Sequence, residues 1–292
     1  MKITINYTMT APVSHIGETS STEAYFQQIQ TADGKIPVIT ANSIRGQMRD
    51  SAALYLLDSI RCNTDIEVFN VLFSGGNISG TMKNDVERAK AIREHFPMVS
   101  LFGGGVGTML LSGKMQVGFA YPVCKETRKI TGIRSDVSWH DLMGEIEFTR
   151  TDDSKNDQNS IHIDGEIPTE KAKGKASTQM RYAVEYMAPG TEYMQTVIFH
   201  ENITNLELGA FYSALLKWFE VPKLGGMSAK GFGMFDAKVG EDITLQLGEI
   251  HVSEKIASLV SAYKEFAISE GNTNFSLLKE GKSNGKKSDD AS

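Results

Sequence analysis

The segment KITINYTM at residues 2–9 is the strongest indication of the fold class, because its apolar side chains occupy every second position from Ile3 to Met9. A period of two predicts a strand with one face in the core and the other in solvent. The chain is therefore predicted to begin with a half-buried strand over residues 2–10. The remaining sequence must supply sheet neighbours for it and helices that cover its apolar face.

The other predicted elements follow from helical or alternating spacing of apolar residues, with Gly and Pro as boundaries. A loop through residues 12–37 leads to a helix over 42–58, which Asn42 or Ser43 can cap. In chain order, the further elements are a helix over 84–95, strands near 115–121, 182–186 and 193–199, a helix capped by Asn205, a strand through Val239 and a helix over 253–269.

Without insertions, this order is close to strand, helix, strand, strand, helix, strand. The sequence therefore predicts an α+β, ferredoxin-like fold (βαββαβ, RRM-like) with an antiparallel sheet and helices on one face. Residues 125–180 are polar and lack apolar periodicity, so they are interpreted as an insertion. The low-complexity segment at 279–292 is predicted to be disordered.

The charge of the chain is distributed unevenly. Its 292 residues include 30 Lys and Arg and 36 Asp and Glu, a net charge of −6 that by itself argues against a nucleic-acid partner. Residues 136–170 alone hold ten carboxylates and two cations, so the rest of the chain has a net charge of +2. Phosphate binding needs only a local stripe of positive charge. Basic residues that flank the acidic stretch are Arg128, Lys129, Arg134, Lys173, Lys175 and Arg181.

The sequence contains no pattern typical of a metal site, a nucleotide-binding loop or a membrane-spanning segment. The six histidines have no HxxxH or HExxH spacing, and Cys62 and Cys124 have no ligand or disulfide pattern, so no metal and no cofactor is predicted. Residues 75–81 have the glycine spacing of a phosphate loop but lack its lysine. With no signal peptide and no apolar run of about 20 residues, the sequence predicts a cytoplasmic protein without a membrane partner.

The first predicted helix has features of an anion site. Arg45 and Arg49 lie four residues apart and therefore share a face. Gly46 leaves room for another backbone, and the amides near Ser43 at the helix start favour a negative charge. A solvated helix face explains the same residues equally well.

A glycine-rich loop before the strand that ends at Val239 has similar features. No carboxylate occurs between Lys223 and Gly233, so backbone amides can approach a phosphate while a lysine neutralises it. An ordinary β-turn is the equally good alternative. The candidate residues here are Lys223, Gly225, Gly226, Met227, Ser228 and Lys230.

Four segments, in order, resemble motifs of the RAMP superfamily of CRISPR-associated proteins. Residues 37–49 resemble the start of the first helix in that family, P-x-I-P-x-S-S-L-K/R-G-x-x-R. Residues 101–103 resemble its L-F-G segment, 181–191 its R-x-x-E-x-V-x-x-G-T segment, and 225–233 its glycine loop. The chain is most similar to the backbone subunit, in its type IV variant.

The resemblance implies a right-hand-like molecule. Its palm would comprise residues 1–124 and 181–270, with helical fingers near 60–98 and a thumb β-hairpin at 125–180. The subunit would bind the CRISPR guide RNA (crRNA), leave it free to pair with a target nucleic acid, and assemble with copies of itself into a helical filament and with other CRISPR effector subunits. The implied RNA contacts are Ser43, Arg45, Gly46 and Arg49, the glycine loop from Lys223 to Lys230, and the basic arms of the thumb.

The resemblance also bears on catalysis. Family members that cleave target RNA carry an Asp in the loop before the first helix, whereas Ala24 lies near that place here, beside Glu23, and Asp33 lies closer to the helix. No target-cleaving activity is therefore predicted. The alternative is a metal-independent endoribonuclease that processes precursor crRNA with His15 as its base. A third reading is a filament-forming scaffold without nucleic acid.

Overall fold

The protein has an α+β fold, as predicted, built mainly from antiparallel sheets. The computed structural model describes residues 1–20, 23–78, 85–150, 180–270 and 274–279. In chain order the strands are β1 (Lys2–Met9), β2 (Ile16–Thr19), β3 (Glu23–Phe26), β4 (Gln28–Thr31), β5 (Gly34–Pro37), β6 (Gly104–Val106), β7 (Met109–Leu111), β8 (Met115–Pro122), β9 (Met143–Arg150), β10 (Met180–Met187), β11 (Glu192–Phe199), β12 (Phe235–Val239), β13 (Ile243–Gln246) and β14 (Glu249–Val252). The helices are α1 (Ala41–Ile60), α2 (Ile66–Phe69), α3 (Val86–His95), α4 (Pro97–Phe102), α5 (Arg128–Thr131), α6 (Trp139–Leu142), α7 (Asn205–Phe219) and α8 (Glu254–Glu270).

The central sheet has six strands in the order β14-β13-β12-β1-β11-β8. The half-buried first strand is confirmed, since Ile5, Tyr7 and Met9 are buried while the residues between them face outward. The hydroxyl of Tyr7 donates a 2.6 Å hydrogen bond to Gln195 Oε1 on β11, which satisfies both polar groups inside the core. Helices α1, α7 and α8 pack against one another over this apolar face.

The predicted helices are confirmed, but two of their caps are not the predicted ones. Thr40, not Asn42 or Ser43, is the N-cap of α1, and its side chain makes no capping bond. Thr204, not Asn205, caps α7 in a capping box with Glu207. In both cases the helix begins one or two residues earlier than the apolar spacing suggests.

The segment predicted as a loop at 12–37 instead contains four short strands. β2 and β3 pair with each other, and β4 pairs with β5. All four residues of β2 are exposed, so the strand lacks the apolar alternation that sequence reasoning depends on. The hairpin of β13 and β14 and the short helix α4 were not predicted.

A second sheet has the strand order β2-β3-β10-β9. The strand predicted at 182–186 is present as β10, but it pairs here, antiparallel to β9 and parallel to β3, and not in the six-stranded sheet. The predicted insertion at 125–180 thus begins with α5, α6 and β9, and its residues 151–179 lie outside the described part.

Two further expectations concern the fingers and the tail. The expected helical insertion near 60–98 contains α2, a π-helical turn at Asn70–Ser74, and α3. Lys279, the first residue of the predicted tail, forms an ion pair with Asp65, and its carbonyl accepts a hydrogen bond from Arg88. The other tail residues, 280–292, lie outside the described part. No helix in the described ranges is long and apolar enough to cross a membrane.

Candidate nucleic-acid interface

A groove of about 550 Å³ opens beside the first half of α1, and we call it the arginine–glycine groove. Arg45 and Arg49 are its charged residues, and no acidic side chain is among the described residues that line it. The described lining therefore carries a net positive charge. The full lining is Arg45, Arg49, Ser74, Gly75, Gly76, Asn77, Ile78, Phe102, Gly104, Gly105, Leu110, Leu111, Ser112 and Gly113.

Two glycine segments, at Gly75–Gly76 and Gly104–Gly105, form two walls of this groove with their backbone atoms. The amide of Gly105 donates a 2.7 Å hydrogen bond to the carbonyl of Gly75. A Cβ atom on Gly76 would lie 1.9 Å from the carbonyl oxygen of Gly105, and φ of Gly76 is +69°. Only glycine fits there. The sequence indicated only an incomplete phosphate loop at residues 75–81, so the close approach of these glycines was not predicted.

Arg49 lies at the bottom of the groove and is only 6% exposed. Its guanidinium donates hydrogen bonds of 3.0 Å to the carbonyls of Phe102 and Gly103 and of 3.4 Å to that of Val71. Burial, reinforced by the nearby charge of Arg45, lowers the pKa of Arg49 to about 10. The side chain is still cationic at neutral pH, and its donors face the protein's own carbonyls.

Arg45 is the more accessible of the two arginines. It donates to the carbonyl of Phe102 but is only partly buried, so the remaining guanidinium donors can reach a ligand. Ser43 and Gly46 are also partly exposed, and apart from the neighbouring backbone of α1 no atom of the described residues lies within 4 Å of a Cβ placed on Gly46. The space above Gly46 is therefore open to a partner.

The predicted glycine loop lies on a different part of the surface and is shaped by left-handed backbone. Gly225 has φ +76°, and a Cβ there would lie 2.3 Å from the carbonyl oxygen of Ser14. The non-glycine Met227 also has a positive φ, +59°, a conformation that is sparsely populated for such a residue. Lys223 and Ser228 are exposed, and the carbonyl of Lys223 accepts a 2.9 Å bond from Trp218 Nε1.

Lys230, at the end of this loop, contacts the second sheet. Its ammonium group lies 4.6 Å from the ring centroid of Phe148 on β9 and 4.7 Å from that of Tyr182 on β10. It also hydrogen-bonds to the Tyr182 hydroxyl. This cation–π arrangement holds the glycine loop against the β9–β10 pair, and no pattern in the sequence predicts it.

The segment just after β1 connects the loop to α1. Gly226 donates a 2.7 Å hydrogen bond to the carbonyl of Ser14, and the next residue, His15, accepts a 3.2 Å bond from the amide of Thr40 at its Nε2. The Thr40 hydroxyl lies 3.0 Å from the same nitrogen. Burial lowers the pKa of His15. Its Nε2 is thus engaged at the start of α1, and a general base would need that nitrogen free.

The basic arms are mostly exposed and partly paired. Arg128 forms an ion pair with Asp136 at 3.2 Å, and Lys129 forms one with Asp33 at 3.0 Å. Arg134 and Arg181 are exposed. Surface pairs of this kind are weak and can exchange for a phosphate. Two further predicted contacts lie outside the described residues: Lys173 and Lys175.

The carboxylates considered for catalysis are dispersed. Asp33 is paired with Lys129, and Glu23 accepts a hydrogen bond from the Tyr25 hydroxyl. That hydrogen bond, together with the Glu23 charge, raises the pKa of Tyr25. Across the described residues, no group of three or more His, Cys, Asp or Glu side chains is arranged to hold a metal ion.

Comparison with known proteins identifies similar folds. A family model described as the RAMP superfamily matches residues 7–236. No curated protein matches the chain. Among solved structures, a chain of a "Type IV-B CRISPR Complex" is similar with a TM-score of 0.60 and 16% sequence identity, over 82% of this chain and 91% of that chain. At this identity the similarity concerns the fold.

Proposed function

The chain belongs to the RAMP superfamily, and on that premise we propose that it is a crRNA-binding subunit of a type IV-like CRISPR effector complex. The observation that carries the proposal is the arginine–glycine groove. Its cationic floor and backbone walls suit a ribose-phosphate chain and offer few side chains that could discriminate between bases. A guide bound in this way keeps its base edges free to pair with a target nucleic acid.

The finer assignments extend this proposal. The six-stranded sheet with α1 and α7 would be the ferredoxin-like palm, the α2–α3 region the fingers, and the segment from α5 to β9 the described part of the thumb. Lys230 would keep the thumb at a fixed position relative to the palm. Copies of the chain would line up along one guide as a helical filament beside other effector subunits.

The proposed role is non-catalytic. His15, the base in the endoribonuclease alternative, has its Nε2 engaged by Thr40, and the described carboxylates near the start of α1 are separately partnered. The geometry around His15 therefore does not support the endoribonuclease alternative. A scaffold without nucleic acid would leave the cationic groove without a ligand.

RNA binding by the full-length protein tests the proposal. Fluorescence anisotropy with three unrelated single-stranded RNAs of equal length should give similar Kd values, each of which rises steeply with salt. Arg45→Met should weaken all three alike and reduce the salt slope by about 1. Arg61→Met removes an exposed arginine at the far end of α1 and serves as the matched control. Binding to one sequence only, or unchanged binding by Arg45→Met, would refute the assignment.

A further inference from the structure

The hairpin of β13 and β14 ends in an apolar side chain that the protein does not cover. Leu247 is 86% exposed, the highest value among the large apolar residues of the described part. Its φ is +50°, and that of Gly248 is +83°. Two positive φ values in a two-residue turn are typical of type I′, where Asn, Asp or Gly is preferred at the first position. The turn thus holds a leucine at a cost in backbone strain.

This leucine is also held in place. Its amide donates a 3.0 Å hydrogen bond to the carboxylate of Asp236 on β12. Glu249, two residues further on, presents a side chain that is 80% exposed. The tip is therefore an anchored apolar knob with a carboxylate beside it.

An apolar groove of about 520 Å³ lies between α3 and the start of α7. Val86, Ala89, Pro97 and Leu206 line it, and Val86 is 77% exposed. The rim bears Lys90, whose side chain is 77% exposed and lies 3.7 Å from Glu94 in a surface pair. Lys114, Arg93 and Glu207 complete the charged rim. Cations thus outnumber carboxylates around it.

Knob and groove lie at opposite corners of the six-stranded sheet. The knob joins the edge strand β14, whereas Lys114 of the groove directly precedes the other edge strand, β8. Five inter-strand steps separate the two edges, about 24 Å. The knob follows the end of the sheet where Phe235 pairs with Met9, and the groove adjoins the end where Phe199 pairs with Met115. A knob cannot reach the groove of its own chain.

We propose that Leu247 of one copy inserts into the α3–α7 groove of the next copy, with Glu249 beside Lys90. Such a contact is heterologous, so each added copy leaves one free knob and one free groove and assembly continues. The proposal deepens the self-assembly part of the proposed function and rests on it, but it involves none of the RNA-contact residues. The strained turn then has a function, because it presents Leu247 to the next copy. Without such a partner, an exposed apolar side chain favours aggregation.

Site-directed cross-linking of the full-length protein tests this contact. In a Cys62→Ser background, the double variant Glu249→Cys/Lys90→Cys, which keeps Leu247 and the apolar groove, should give a ladder of covalent oligomers with a short bismaleimide, and each single variant should not. Leu247→Asn suits the turn better, so its Tm should rise while the concentration needed for assembly increases at least about tenfold. Glu249→Lys should weaken assembly, and adding Lys90→Glu should restore it.

Two results would overturn the proposal: wild-type oligomers whose double-cysteine variant gives no ladder, or a wild type that stays monomeric with and without RNA. RNA affinity, measured on the same samples, distinguishes a failure of the proposed contact from a failure of the proposed RNA-binding role. If Leu247→Asn assembles like the wild type while RNA binding is intact, the contact is wrong and the RNA role stands. If the ladder forms but no protein binds RNA, the contact stands and the RNA role is wrong.

Discussion

Arg45 and Arg49 share a helix face in the sequence, but the structure predicts opposite consequences for their removal. Arg49→Met would keep much of the aliphatic length and remove the donors to the carbonyls of Phe102, Gly103 and Val71. The two bonds of 3.0 Å are the strong ones, and a bond to a charged group contributes roughly 1.5–3 kcal/mol. We therefore expect the free energy of unfolding to fall by about 3–5 kcal/mol, a large part of the total stability of a typical domain.

Arg45→Met should behave differently, because Arg45 is partly exposed and donates to a carbonyl that Arg49 also serves. We expect it to change the free energy of unfolding by less than about 1 kcal/mol while it weakens RNA binding. Urea titration followed by circular dichroism measures the first quantity, with an unchanged m-value as the check that both variants unfold alike. Anisotropy with labelled RNA measures the second, under conditions in which Arg49→Met is still folded.

A wild-type urea midpoint for Arg49→Met together with loss of RNA binding, and normal binding by Arg45→Met, would contradict both assignments. That outcome would make Arg49 the ligand and Arg45 the structural residue. Arg49→Lys adds a second check, since it keeps the charge but cannot reach three carbonyls with a planar fork. It should recover less than half of the lost stability.

Three further predictions concern the glycine loop, His15 in the segment after β1, and the walls of the arginine–glycine groove. Lys223→Met should reduce the salt slope of RNA binding by about 1, whereas Lys230→Met should leave it unchanged, because its ammonium group is held over two neighbouring aromatic rings. His15 has a lowered pKa when folded, so the unfolded chain binds more protons just below about pH 6.5 and stability should fall as the pH drops through that range. Gly76→Ala should destabilise by more than about 1 kcal/mol, because φ is positive and a Cβ has no space.

Matched variants control each of these. Lys230→Arg should retain the ring contacts that Lys230→Met loses. His15→Gln removes the titration, so its stability should vary less between pH 7.5 and 5.5 in thermal melts, and an unchanged pH profile would refute the role of His15. Gly46→Ala, with open space at its Cβ, should raise stability by about 0.5–1 kcal/mol, as alanine does within an exposed helix. Equal effects of the two glycine variants would contradict the wall geometry.

Strong periodicity made most of the core predictable. β1, α1, α7 and α8 each bury a continuous apolar face, and that face is visible in the sequence as a period of two or of about 3.6. β2 has no such face because all of it is exposed. The β13–β14 turn was not predictable because its first central residue is Leu247, whereas such turns prefer Asn, Asp or Gly at that position.

The candidate site was predictable only in part, because its contacts join segments that are far apart in the sequence. Spacing alone placed Arg45 and Arg49 on one face correctly. Their different roles arise because Arg49 alone also donates to the carbonyls of Val71 and Gly103, 22 and 54 residues away in the sequence. The pairing of Gly75 with Gly105 likewise joins two segments that resemble separate turns. Lys230 meets β9 and β10 only after the second sheet has formed.

The glycine walls of the arginine–glycine groove have a consequence for mutational surveys. Every substitution at Gly76 adds atoms where no space exists, so tolerance there should be near zero whichever residue is introduced. A saturation screen scored on RNA binding would therefore rank Gly76 beside the most sensitive positions of the chain, as though it contacted the RNA. Its sensitivity would record the closeness of two backbones, and a screen scored on protein abundance should give the same ranking.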